Sequence, residues 1–302
     1  MSKTVLISGA AGFIGTHLTQ LLVANGYEIK ILTRSAKSSK ENVINWDPDK
    51  GELDAEALEG LYAVVHLAGE NIAGRWTEGK KSKIENSRVD GTTLLSETLA
   101  NLQNKPKVLV AASAIGYYGS RGDELLTEDS SSGNGFLADV GVKWEQATKS
   151  AELAGIRVCN LRIGLVLGID GGALEKILTP FKLGLGGKIG DGRQYWSWIA
   201  IQDLVEIIYF LIKNEQVLGP VNGVAPIAVT NDEFTSALGR ALNRPTILPL
   251  PAFAVRGLFG EMGEETMLSS TRVVPQKLLD SGYKFKYTTL QDALSDILKT
   301  NQ

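Results

Sequence analysis

The sequence is poor in the residues that build covalent cross-links and metal centres. A single cysteine, Cys159, stands among 302 residues, so no disulfide can close within the chain. That excludes a small secreted scaffold and fits a reducing compartment. Cys159 lies in the apolar run Val158-Cys159-Asn160-Leu161 and reads as a small buried hydrophobe. The two histidines, His17 and His66, are far apart. With one cysteine they make no ligand cluster, so no metal is expected. No Ser–His–Asp arrangement is evident either. No apolar stretch approaches the ~20 residues of a membrane span, and a glycine turn at Gly9 arrives too early for a signal peptide. A soluble, cytoplasmic protein with no membrane partner is expected. The net charge is -3, with 31 basic and 34 acidic residues, so neither sign dominates. Nothing here resembles the basic footprint of a nucleic-acid binder.

What the chain does have is 43% hydrophobic residues, ample for a large core. Short apolar runs alternate with longer amphipathic ones. Strands are expected at Thr4 to Ser8, Glu28 to Thr33, Ala63 to Leu67, Val108 to Ser113 and Arg157 to Leu161. A helix is expected from Ile14 to Asn25, with Leu18, Leu21 and Leu22 on one face and Gly26 as its stop. Strands this continuously apolar are buried on both faces, as in a parallel sheet flanked by helices. The fold class that follows is α/β, a Rossmann-like doubly wound parallel sheet. The pattern changes after Gly168, where glycines crowd as far as Trp198, and again after Pro245. The reading is a nucleotide-binding unit over 1–245 and a smaller C-terminal substrate lobe over 246–300. Residues 168–200 belong partly to that lobe. His17, on the first helix, reads as a surface or boundary residue.

The chemistry begins at Ser8-Gly9-Ala10-Ala11-Gly12-Phe13-Ile14-Gly15, between the first strand and the first helix. The spacing G-x-x-G-x-x-G is one residue wider than the G-x-G-x-x-G fingerprint, and the physics is shared. Gly9 permits the tight turn, Gly12 lets backbone approach a pyrophosphate, and Gly15 allows close helix–strand packing. The phosphates then meet the free N–H groups of the helix end, at Phe13 and Ile14. The second strand ends in Thr33-Arg34-Ser35. An acidic residue there would bind a ribose 2′-OH, whereas Arg34 suits a 2′-phosphate, with Thr33 and Ser35 as further donors. The expected cofactor is NADP(H). Leu67, Ala68 and Gly69, after a later strand, offer small residues and backbone to its adenosine half. His66 just before them reads as a core histidine.

In this order the pieces resemble the extended short-chain dehydrogenase/reductase superfamily. Gly69-Glu70-Asn71-Ile72-Ala73, Arg75-Trp76-Thr77, Ser87-Arg88-Val89 and Tyr195-Trp196-Ser197-Trp198-Ile199 narrow the resemblance to one NAD(P)-dependent epimerase-family group. So do Pro249-Leu250-Pro251, Gly260-Glu261-Met262-Gly263 and Val273 to Leu279, which resemble that group's C-terminal DUF1731 segment. The resemblance spans essentially the whole chain. It implies an NADP-binding fold acting on a small-molecule substrate, and members often dimerise through helices flanking the sheet, so a homodimer is expected.

Superfamily chemistry uses a Ser or Thr to polarise the substrate oxygen and a Y-x-x-x-K pair. The tyrosine is the general acid/base, and the lysine lowers its pKa and binds the ribose. Ser113 matches the first position and Lys143 the lysine. Asp139 stands where the tyrosine belongs. Tyr117 and Tyr118 follow Ser113, so Tyr117, Asp139 and water are the candidate proton donors. Asp139 and Lys143 also fit a plain i,i+4 pair. Arg162 matches a superfamily arginine, with packing at the sheet's edge as the alternative. Asp203 reads as a helix cap or structural partner. Trp76, Trp196 and Trp198 are candidates to line an apolar cleft, and Lys188 and Arg193 to meet an anionic group. The expected activity is NADP(H)-dependent oxidoreduction or epimerisation of a small carbonyl or sugar-like substrate. The rival is a non-catalytic NADP-binding sensor or regulator.

Overall fold

The computed structural model describes residues 3–34 and 41–299. Its centre is an eight-stranded sheet. In the first half, β1 (Thr4–Ser8), α1 (Phe13–Ala24), β2 (Glu28–Thr33), β3 (Val43–Asp47), β4 (Glu52–Leu53), β5 (Ala63–His66), α2 (Glu78–Ala100) and β6 (Val108–Ala114) follow one another. Then come β7 (Leu125–Leu126), α3 (Phe136–Gln146), α4 (Lys149–Leu153), β8 (Arg157–Ile163), β9 (Leu165–Leu167), α5 (Gly172–Lys182), β10 (Tyr195–Trp196), β11 (Trp198–Ala200), α6 (Ile201–Lys213) and β12 (Gly219–Gly223). The chain ends through β13 (Val229–Thr230), α7 (Asn231–Leu242), α8 (Ala252–Phe259), α9 (Glu261–Thr266), β14 (Arg272–Val273), α10 (Gln276–Asp280) and α11 (Leu290–Lys299).

The large sheet runs in the order β12-β8-β6-β5-β1-β2-β3-β4, and its pairings are parallel except that of β3 with β4. The reason lies in the strand composition. Val5 and Ile7 pack into one core with Leu18 and Leu22 of α1 and with α6, while Leu6 between them packs into the other with Leu95 and Leu99 of α2. Val65 and Val64, and Val110 and Leu109, divide in the same way. With both faces apolar, each strand needs a helical layer on each side. The doubly wound α/β class is therefore what the structure shows.

The expected strand starts agree with the structure. The expected helix 14–25 begins one residue earlier, at Phe13, and β6 and β8 run past Ser113 and Leu161. Those extra residues carry Ala114 and Arg162 to the carboxyl edge. Leu290, Ala293, Leu294 and Ile297 of α11 join the same core as α1 and α6, so the C-terminal segment is anchored to the sheet's helical layer. Among the described residues no helix is long and apolar enough to cross a membrane.

Candidate functional site

The neighbours of β1 are β2 on one side and β5 on the other, so the crossovers leave β1 in opposite directions. Open α/β sheets bind ligands at such a switch point, beyond the strands' carboxyl ends. The glycine turn lies there. Gly9 has φ 71, and a Cβ on it would sit 3.0 Å from the carbonyl carbon of Leu67 and 3.1 Å from the nitrogen of Ala68. A Cβ on Gly15 would sit 2.2 Å from the Gly9 oxygen. Gly12 is the N-cap of α1, and no side chain caps that helix end. Its first amides and dipole are left for an anion. The half-buried ring of Phe13 rests on Gly168 and Gly171.

A buried hydroxyl joins the turn to the next loop. Ser8 Oγ accepts from Leu67 N at 3.0 Å and Ala68 N at 3.1 Å, and lies 2.6 Å from His66 Nδ1. Since two N–H groups already donate to it, its own hydrogen goes to Nδ1, which puts the ring proton on Nε2. Burial pushes His66 down to about 4. This is the core histidine the sequence suggested. At Gly69 the loop lies on the Arg88 guanidinium, which donates through Nη1 to the oxygens of Glu70 and Ile84, each at 3.0 Å. Burial brings Arg88 down to about 10.

Arg34 is exposed just beyond β2, with Thr33 half-buried before it. Ser35 lies outside the described residues. A hydrogen bond from Lys80 at 2.6 Å holds the Glu70 carboxyl below its usual range, and Lys83 and Arg34 add to the effect.

Ser113 is 2% exposed, and its hydroxyl donates to Glu145 Oε1 at 2.8 Å. Arg162, 3% exposed, grips the same carboxylate through Nε at 2.7 Å and Nη2 at 2.8 Å. Its Nη1 donates to Tyr118 Oη at 2.8 Å, and Tyr118 donates in turn to Asn222 Oδ1 at 2.7 Å. Burial pushes Tyr118 up to about 12. The ring of Tyr117 covers Arg162, with the guanidinium carbon 3.6 Å from its centroid. Tyr117 is half-buried, and among the described residues its hydroxyl has no hydrogen-bond partner.

Asp139 is exposed in the first turn of α3. Lys143 pairs with Glu85 of α2 at 2.6 Å rather than with Asp139. That hydrogen bond, more than the charge of Asp139, raises the lysine's pKa. The structure thus gathers Ser113 and Arg162 around Glu145, lays Tyr117 over Arg162, and leaves Asp139 and Lys143 on the outer face of α3. Glu145, two residues beyond Lys143, is the participant the sequence reading missed. Its helical offset places it on the inward face, but only the β6–β8 neighbourhood supplies its partners.

The other candidates separate by burial. Trp198 is fully buried and donates to Ile227 O at 3.0 Å, so it belongs to the core rather than to a cleft. Trp76 is nearly buried and meets the Phe136 ring edge to face, and Trp196 meets Phe234 in the same way. Asp203 is a structural partner, accepting from Lys286 N at 2.8 Å and Tyr287 N at 3.0 Å. Lys188 and Arg193 are exposed. His17 reaches Asp170 at 2.9 Å. Among the described residues no group of side chains is placed to hold a metal ion.

Residues 5–222 match the NAD dependent epimerase/dehydratase family. The chain belongs to that family. Residues 250–297 of this epimerase-family chain match a domain of unknown function, DUF1731. It is 42% identical over 294 residues to the epimerase family protein Mb2239 of Mycobacterium bovis, covering 97% of each chain. The crystal structure of human epimerase family protein SDR39U1 with NADPH superposes with a TM-score of 0.89 at 36% identity, over 98% of this chain and 99% of that one. A nucleoside-diphosphate sugar epimerase from Corynebacterium glutamicum superposes at 0.82 with 38% identity, over 99% of this chain and 58% of that one.

Proposed function

We propose that this epimerase-family protein binds NADP(H) across the β1 switch point and carries out hydride chemistry on a small carbonyl or sugar-like substrate. The observation that carries the reading is the uncapped end of α1 behind a glycine turn that presses on Leu67 and Ala68. A cradle that any Cβ would fill, facing free amides, fits a diphosphate. The NADPH in the human relative supports the choice of cofactor. In this reading Phe13, Ile14 and Gly15 offer amides to the phosphates. Arg34, with Thr33 and Ser35, meets the 2′-phosphate, and Leu67 to Gly69 present backbone to the adenosine half. Bound there, the nicotinamide would give or take the hydride.

The protein's own part is to orient the substrate and move one proton. Ser113 is committed to Glu145 and acts from within that pair, while Lys143 rests against Glu85. Tyr117, whose hydroxyl has no hydrogen-bond partner among the described residues, and the exposed Asp139 are the side chains left for the proton, alongside water. Lys143 would leave Glu85 to hold the ribose. The alternative, an NADP-binding protein without turnover, is favoured by Asp139 in the tyrosine's place. Fluorescence titration with NADPH and NADH tests the binding step: tighter NADPH is expected, and no binding of either would refute it. Turnover with a panel of carbonyl compounds and nucleotide sugars then separates enzyme from sensor. Tight NADPH binding with no oxidation by any of them selects the sensor.

A further inference from the structure

The C-terminal segment reaches back to the two helices that flank the candidate site. α2 and α3 begin near one another, at the sheet's carboxyl edge, and stay paired along Lys143–Glu85 and Trp144–Thr92. At the start of α3 the Glu265 carboxylate of α9 accepts from Phe136 N and Leu137 N, each at 2.8 Å. The chain enters that helix through Gly135 at φ 111, where a Cβ would lie 2.9 Å from Glu265 Oε1. Four residues before Glu265, Glu261 pairs with Lys81 of α2 through both oxygens, at 3.0 Å and 3.1 Å. Lys81 Nζ also stands 4.9 Å from the Phe136 ring centroid. Trp76, at the end of the loop that follows β5, meets the same ring at 5.1 Å. One short helix therefore ties the start of α2 to the start of α3, and the Phe136–Trp76 contact carries the tie on to the loop 67–77.

We propose that α9 is a strap across the rim of the cofactor cleft. Glu265 is a positioning residue for α3, the helix that carries Asp139 and Lys143, and Glu261 holds the opposite bank. This rests on the cofactor reading above. A carboxylate on two helix-end amides is a charge-assisted cap that also opposes the helix dipole. It sets the first turn of α3, and with it Asp139, relative to the C-terminal segment. The segment matched as a domain of unknown function thereby acquires a task, which is to register α3 and slow the escape of a bound dinucleotide.

The test uses the full chain as wild type, Glu265→Gln and Glu261→Gln, with amide hydrogen exchange and NADPH dissociation as readouts. The Glu265→Gln change keeps the size of the side chain but turns an amide toward an N–H donor. In that variant residues 135–140 should exchange about tenfold faster, residues 67–77 should also speed up, and NADPH should leave several-fold faster. Glu261→Gln should act in the same direction more weakly. Faster exchange confined to 135–140, with NADPH release unchanged, would reduce Glu265 to a local cap and overturn the strap. So would no change at 135–140. If wild type bound no NADPH, the cofactor reading would fall, and the strap would be judged on 67–77 in the ligand-free protein, where unchanged exchange in both variants overturns it. Should Glu265→Gln not fold, Glu261→Gln and Lys81→Met, which leave the Glu265 cap on α3 in place, decide by exchange at 67–77 and by NADPH release.

Discussion

Tyr117 and Arg162 lie face to face, the guanidinium carbon 3.6 Å from the ring centroid, while the adjacent Tyr118 takes a hydrogen bond from the same arginine edge-on. Consecutive tyrosines thus do different work. Tyr118→Phe removes an acceptor and a donor at a buried site and should cost roughly 1–3 kcal/mol of stability. Tyr117→Phe keeps the stacked ring and should move stability by less than about 0.5 kcal/mol. Urea denaturation of both variants checks the split. In any reaction found for the protein, a slower Tyr117→Phe variant of normal stability would place the proton on that phenol.

Glu145 holds a buried arginine, and its loss is asymmetric. Glu145→Gln leaves the Arg162 charge poorly compensated and should destabilise the fold by about 3–5 kcal/mol. The double variant Glu145→Gln with Arg162→Met should recover part of that loss. Thermal unfolding measures both, and equal costs for the single and double variants would refute the pairing argument.

His66 makes stability depend on pH. Its folded value, pushed down to about 4 by burial, lies below the 6.5 of a free histidine. Between those values the unfolded chain takes up a proton that the folded one does not. The contribution of His66 is therefore fully present above pH 6.5, declines as pH falls, and levels off below about 4. The gap corresponds to roughly 3 kcal/mol. Chemical denaturation across this range should show the decline, reduced in His66→Gln.

Arg34 should decide between cofactors. Arg34→Asp is expected to lower the NADPH-over-NADH affinity ratio at least about tenfold, near 1.4 kcal/mol. An unchanged ratio in paired titrations would sink its assignment to the 2′-phosphate.

Gly15→Ala should fail for steric reasons alone. The added Cβ would lie 2.2 Å from the Gly9 oxygen, with only backbone around it to yield. Loss of NADPH binding or of folding is expected. Gly26→Ala meets nothing within 4 Å, though its φ of 79 strains any side chain. It should keep cofactor affinity at some cost in stability.

Local pattern revealed much of this molecule. Continuous runs such as Val5-Leu6-Ile7 announce a strand with two apolar faces, and the glycine spacing followed by Leu18 and Leu22 announces the turn and its helix. What stayed hidden depends on neighbours distant in sequence. Ser113 looked free to polarise a substrate because nothing beside it in the chain says that Glu145 and Arg162 converge on it. Lys143 and Asp139 have the spacing of a helical pair, yet the nearer carboxylate comes from Glu85, set by how α2 lies along α3. Glu265 sits 129 positions beyond Phe136, and no periodicity marks a carboxylate as the cap of so remote a helix.

Ser8 fixes the phosphate side of the cleft before any ligand arrives. Its one hydroxyl accepts from the first two amides of the loop after β5 and donates to His66. The start of that loop, at Leu67 and Ala68, is thereby tied to the end of β1. A dinucleotide arriving on the phosphate side meets a finished surface, so its association rate should follow encounter frequency and ionic strength rather than wait on a rearrangement. Slow steps in the protein's cycle are then to be sought at the opposite bank, where side chains rather than strands hold the rim together.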